Sequence, residues 1–186
     1  MWGAFDESGI FVALCRHGFV LAVADMVQSG EKCVGQYSNT SFWLTFVFNR
    51  AKYPLSIVHR LLENFGDRLG VGYDIGCRFK TTIDNSALGS RARELQYTSL
   101  VGAFHGHAHN RLCQLSNLVT YIDGLGLEDL EGCERFFSKS NALASSTRYA
   151  SVFHRRQRIA EYMRATDVYD TYATLSMFYH NSVAFY

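Results

Sequence analysis

Three acidic side chains stand where carboxylates could do chemistry. Asp74 lies in Arg68 to Cys77 (RLGVGYDIGC), which reads as a short interior strand whose glycines permit close backbone approach, and it is expected where that strand ends. Glu131 and Glu134 lie three apart in GLEDLEGCER (126–135), neighbours if that segment is helical, beside an apolar stripe of Leu130, Cys133, Phe137 and Ala144 expected to pack inward. Carboxylates placed beside such a stripe can face a strand-end carboxylate. Oxygens gathered that way hold hard divalent cations, roughly 3.5–4 Å apart in a two-ion site, which activate a water or hydroxyl and stabilise the leaving oxygen in phosphodiester chemistry. The competing arrangement leaves Glu131 and Glu134 on a wet face, paired with Arg135 or Lys139.

A second constellation is Phe104-His105-Gly106-His107-Ala108-His109, followed by Cys113. On a helix His105, His109 and Cys113 recur every four residues and drift by only about 40° per step, so they would share a face. They offer three ligands for a structural Zn²⁺, with Cys77 or Cys133 to complete a tetrahedron, or else pack as ordinary side chains with one ring nitrogen hydrogen-bonded. A third is basic: Arg135, Lys139, Arg148, Arg155, Arg156, Arg158 and Arg164 stand against Glu161 alone, with Tyr149, Phe153 and Tyr162 interleaved. Guanidinium groups there would hold a phosphate backbone and the aromatics would stack on bases, unless the stretch is simply a solvated helical face.

The elements that must position these groups follow from the apolar pattern. Gly9 to Met26 reads as two apolar runs either side of Arg16-His17-Gly18, a hairpin whose strands are expected to be buried on both faces. From Lys52 an amphipathic helix is expected, with Pro54 in its first turn, Leu55, Val58, Leu61, Leu62 and Phe65 at helical spacing, and Gly66 to stop it. A second helix is expected from about His105 to Asp123, and a broken helical region from near Leu127 past Met163. Lys32 to Ala51 (KCVGQYSNTSFWLTFVFNRA) fits none of this: it has no clear helical period and is long for a loop within one domain.

The 186 residues suit one domain, and 48% hydrophobic residues supply a core and exclude wholesale disorder. With 18 Lys plus Arg against 17 Asp plus Glu, the net charge of +1 means that any nucleic-acid surface is local. Five scattered cysteines suit reduced thiols in an intracellular protein better than a disulfide framework. No apolar run is long enough for a membrane span, so no membrane association is expected, and Met1 to Asp6 lacks the basic start and apolar core of a signal peptide.

Taken together and in order, FDESGIF, CRHGF, ADMVQSGE, KYPL, GYDIGCRF, the Phe-His-x-x-x-His element before Cys113-Gln114, GLEDLEGCER and ALASSTRY resemble the Kyakuja, Dileera and Zisupton (KDZ) transposases. The resemblance covers nearly the whole chain except Lys32 to Ala51. It implies an α/β protein with an RNase H-like core and a mostly helical C-terminal part, a DDE-type acidic site, and Mg²⁺- or Mn²⁺-dependent cutting and joining of DNA by a nuclear protein of a mobile element. The implied partners are transposon ends, target DNA and further copies of the chain in a transposition complex.

Residue by residue, Asp74 in YDIGC resembles the second acidic residue, and Glu134 or Glu131 the last. His105, His109 and Cys113 resemble the family's His/Cys element, a brace for the site or a zinc ligand set, and Ser146, Thr147 and Arg148 resemble a loop near DNA or the carboxylates. The first acidic residue of the family is expected in an Asp-Gly-Asn-Phe-like strand ahead of FDESGIF, which leaves Asp6 as the substitute here. The chain therefore reads as a partial catalytic domain over 1–186, with Lys32 to Ala51 an insertion or a retained intron expected to be a poorly ordered excursion. An inactive transposon-derived remnant that at most binds DNA is the alternative to an active enzyme.

Overall fold

The computed structural model describes residues 7–27 and 40–183; Asp6, and 32–39 of the expected insertion, lie outside the described residues. It is a mixed α/β protein, mostly helical, with two small sheets among the described residues. Two compact units divide it, one comprising Met1–Val12 and Ala22–Leu130, the other Ala13–Leu21 and Glu131–Tyr186.

The hairpin forms as expected, from β1 (Glu7–Leu14) and β2 (Val20–Val27). Gly18 supplies the turn with φ +95°, where a side chain would be strained, and Gly18 N–H donates to the Cys15 carbonyl at 2.9 Å. The strands are not buried on both faces: Val12 is buried, whereas Val23 and Val27 are exposed. A two-stranded ribbon has too little sheet around it to cover both faces.

Helix α1 (Thr40–Phe65) holds Pro54 in its interior, not in its first turn, and makes the expected irregular segment helical from Thr40 onward. Pro54 forfeits one backbone hydrogen bond. The helix continues through it because Ile57, Val58, Leu61 and Leu62, at helical spacing, are buried, each worth about 1.5–3 kcal/mol. The Tyr53 hydroxyl accepts from Val27 N–H at 2.7 Å and ties the end of β2 to this helix.

After Gly66 (φ +76°) comes β3 (Gly70–Gly72), shorter than the sequence pattern suggests, then a turn at Asp74-Ile75 and α2 (Gly76–Asp84). α3 (Gly89–Glu94) leads into β4 (Thr98–Leu100), which pairs parallel with β3 in the register Gly70↔Thr98, Val71↔Ser99, Gly72↔Leu100. Val101 extends the ladder to Leu118 through a parallel bridge. The core beneath comprises Val58 and Leu62 of α1, Phe79 and Ile83 of α2, and Ala92 of α3, with Tyr73, Leu88 and Tyr97 against it.

Tyr97 is the exception in this core. Burial pushes its phenol up to about 12, the Ser99 hydroxyl opposing only in part. Ser99 donates to the Gly76 carbonyl and so only neighbours the Tyr97 hydroxyl, which meets no geometrically sound hydrogen-bond partner among the described residues. Because the folded value lies above the unfolded one, stability is kept below pH ~10 and lost as pH rises toward 12. Tyr97→Phe is accordingly expected to change stability at pH 7 by less than about 1 kcal/mol and to flatten the alkaline loss. Urea unfolding at both pH values checks this; a large loss at pH 7 would mean that the hydroxyl has a partner.

In the second unit α5 (Gly132–Ser140) buries Phe136 edge-to-face against Phe137 and Tyr162, at centroid distances of 5.6 and 6.0 Å. Phe136 takes the inward place that the sequence assigned to Phe137, which is half-buried, and Ala144 is exposed. α6 (Ala144–Thr147) is followed by α7 (Val152–Ala165), capped by the Ser151 side chain accepting from His154 N–H. One π-type stretch at Thr166–Thr171 joins α7 to α8 (Tyr172–Val183). Asp167 Oδ1 accepts from Val20 N–H at 3.1 Å, and Lys139 pairs with Asp170 at 3.3 Å rather than serving a glutamate of its own helix.

Candidate functional site

Asp74 stands just past the C-terminal end of β3, in the turn that Gly76 N–H closes on the Tyr73 carbonyl at 2.7 Å. Ligand sites in parallel sheets gather at this end of the strands. Tyr73 N–H donates to the Leu100 carbonyl at 3.0 Å, Tyr73 meets Phe11 and Phe79 edge-to-face at 5.7 and 5.3 Å, and Gly76 lies flat against β4. The turn is therefore fixed, while the Asp74 side chain stays 60% exposed.

The histidine element is not one helix. His105–Ala108 is a 3₁₀ turn, His109 is extended (φ −95°, ψ 151°), and α4 (Arg111–Asn117) starts afresh with Asn110 accepting from Cys113 N–H at 2.9 Å. Asn110 wins because an asparagine that caps a new helix outweighs continuation of a glycine-containing turn. The break sends the two histidines to different places. His105 Nε2 lies 3.6 Å from Asp74 Oδ2, and His109 Nε2 donates to the Asp74 backbone carbonyl at 3.0 Å. Asp74 is thus approached at its carboxylate and hydrogen-bonded at its backbone from one segment.

Cys77, in the first turn of α2, and Cys113, in α4, converge on the other nitrogen of His109. Their Sγ atoms lie 3.5 and 3.3 Å from Nδ1. Cys77 therefore joins His109 and Cys113, in the place that His105 was expected to take. Burial, and then the neighbouring Cys113 thiol, push the Cys77 thiol up, which does not suit a nucleophilic thiolate.

Glu131 is the N-cap of α5 and half-buried; Glu134 is exposed in that helix's first turn. The basic stretch is split. Arg148 ends α6 with its guanidinium 5.9 Å from the Tyr149 ring, and Tyr149 and Phe153 are exposed. On α7 Arg155 is half-buried, Arg156 and Arg158 are exposed, and Arg156 and Arg155 are about 100° apart round the helix. Ser146, Thr147 and Arg148 are not a loop: Thr147 is buried in α6, donating to the Leu143 carbonyl at 3.0 Å.

By fold and site this is a mixed α/β protein that presents a histidine-braced carboxylate at the end of a parallel strand. The chain belongs to the Kyakuja-Dileera-Zisupton transposase family, whose model matches residues 1–48 and 47–167. No curated protein matches it, and no solved structure does. A transposase family implies DNA as the partner and divalent metal as the cofactor. No described helix is long and apolar enough to cross a membrane.

Proposed function

We propose that the chain is part of a DDE-type transposase catalytic domain with an RNase H-like core, acting on DNA in the nucleus, with 32–51 an insertion relative to its relatives. The observation that carries this reading is Asp74, braced by His105 and His109 at the end of β3. The hairpin, the helix after it and the parallel β3–β4 pair with its acidic strand end support the RNase H-like reading.

A hard divalent ion takes carboxylate oxygens as ligands, and the 60% exposed Asp74 side chain has its oxygens accessible to one. Asp74 would be one ligand of Mg²⁺ or Mn²⁺, and by the resemblance Glu134 or Glu131 and Asp6 are the family's other acidic positions. Bound there, the ion supplies the nucleophile activation and charge stabilisation of phosphodiester transfer. His105 Nε2, 3.6 Å from Asp74 Oδ2, stands beside the carboxylate that would face the ion. Arg148, Arg155, Arg156 and Arg158 hold the phosphate backbone, and Tyr149 and Phe153 stack on unpaired bases.

The test is incubation of the full chain with transposon-end duplexes in Mg²⁺ or Mn²⁺. Cleavage supports the enzyme; binding without cleavage in either ion supports the inactive remnant instead. For the DNA surface, Arg158→Ala is expected to weaken binding to all sequences alike and to lower the slope of log K against log salt by about 1. Fluorescence anisotropy across a salt series reads this, and an unchanged slope would remove Arg158 from the interface.

A further inference from the structure

We infer that Cys77, His109 and Cys113 form a zinc site that is distinct from the catalytic carboxylates and buttresses the Asp74 turn. Their ligand atoms all lie within 4.8 Å of one another, and all three side chains are half-buried. They come from three separate pieces of chain: α2, the extended residue before α4, and α4 itself.

The ring orientation of His109 is decided by its other nitrogen. A backbone carbonyl only accepts, so Nε2 must carry the proton it donates to Asp74, and the neutral ring then has its lone pair at Nδ1. This is the outer hydrogen bond that orients a metal-binding imidazole. Two thiols approach that single lone pair, at 3.5 and 3.3 Å, and it can accept only one good S–H hydrogen bond. A tetrahedral zinc ion has S···N edges of about 3.5 Å from its ordinary bond lengths, close to both separations. Asn117 Nδ2 lies 3.6 Å from Cys113 Sγ, a donor suited to a thiolate.

Binding releases one proton from each thiol and none from His109: Zn²⁺ gains two sulfur ligands and one nitrogen, with water in the fourth position. The ion ties α2 to α4 on either side of the Asp74 turn. Its bearing on catalysis rests on the reading of Asp74 given above. Zinc content and ligand type are measured without DNA or Mg²⁺, so that reading and this one fail separately.

The full chain, expressed with zinc and purified under reducing conditions, is expected to hold about one zinc per chain by mass spectrometry of the metal. Cobalt in its place should show sulfur-to-metal charge transfer. Cys77→Ser and Cys113→Ser should lose most of that band, and Cys15→Ser should keep it. Should a serine variant fold poorly, X-ray absorption on the zinc-loaded wild type counts its sulfur ligands directly, two being expected. A wild-type chain that retains neither zinc nor cobalt, a shell without sulfur, a Cys77–Cys113 disulfide under reductant, or a Cys77→Ser variant with an unchanged cobalt spectrum would each overturn the site.

Discussion

Asp74→Asn is expected to reduce metal-dependent DNA cleavage by ~10³-fold or more while leaving DNA affinity within about twofold, since a metal ligand at the reacting phosphate supplies several kcal/mol. The substitution separates catalysis from folding. The side chain is exposed, so its loss should cost no more than about 0.5 kcal/mol, and the backbone carbonyl that receives His109 is untouched. Asparagine keeps the shape and one oxygen but not the charge. A second readout needs no turnover: Mn²⁺ or Tb³⁺ binding, followed by relaxation or luminescence, should weaken at least tenfold in the variant. Unchanged cleavage and unchanged ion binding would remove Asp74 from the site. Loss of DNA binding together with a lowered unfolding midpoint would assign it a folding role.

What the sequence made legible was local. Gly18 between two apolar runs announces a hairpin, and the glycines before Asp74 announce a strand end, because turn chemistry and strand punctuation are written in neighbouring residues. The pairing of β3 with β4 was not legible. Thr98-Ser99-Leu100 is too short to carry a period, and its partner is fixed by the crossover through α2 and α3. The histidine segment misled for a physical reason: residues four apart mimic a helix face, yet Asn110 starts a new helix and turns His105 and His109 to opposite ends of one aspartate. The place of Cys77 beside His109 depends on α2 starting at Gly76, which the strand-like reading of 68–77 concealed. The sequence pattern places Pro54 in a first turn because nothing in 32–51 has a helical period; the helix that runs from Thr40 through Pro54 is held by its buried later turns.

Among the described glycines, Gly76 has the least room for a side chain. A Cβ at this position would sit 2.0 Å from the Leu100 carbonyl oxygen, 2.7 Å from its carbon and 3.2 Å from the Leu100 nitrogen. All three are backbone atoms of β4, and that carbonyl already accepts from Tyr73 N–H while Ser99 donates to the carbonyl of Gly76 itself. No side-chain rotation can relieve the clash, so α2 would have to lift off β4 and carry Asp74 and Cys77 with it. Gly76→Ala is therefore expected to destabilise the chain by about 3 kcal/mol or more, the upper end for overpacking. Gly132→Ala is the control: there the nearest neighbour to a new Cβ is Leu14 Cδ1 at 4.0 Å, and alanine in a helix should cost nothing or stabilise slightly. Urea midpoints for the two variants decide the matter. Equal midpoints would mean that β4 does not press on α2, and with that the rigid seat of Asp74 would be lost.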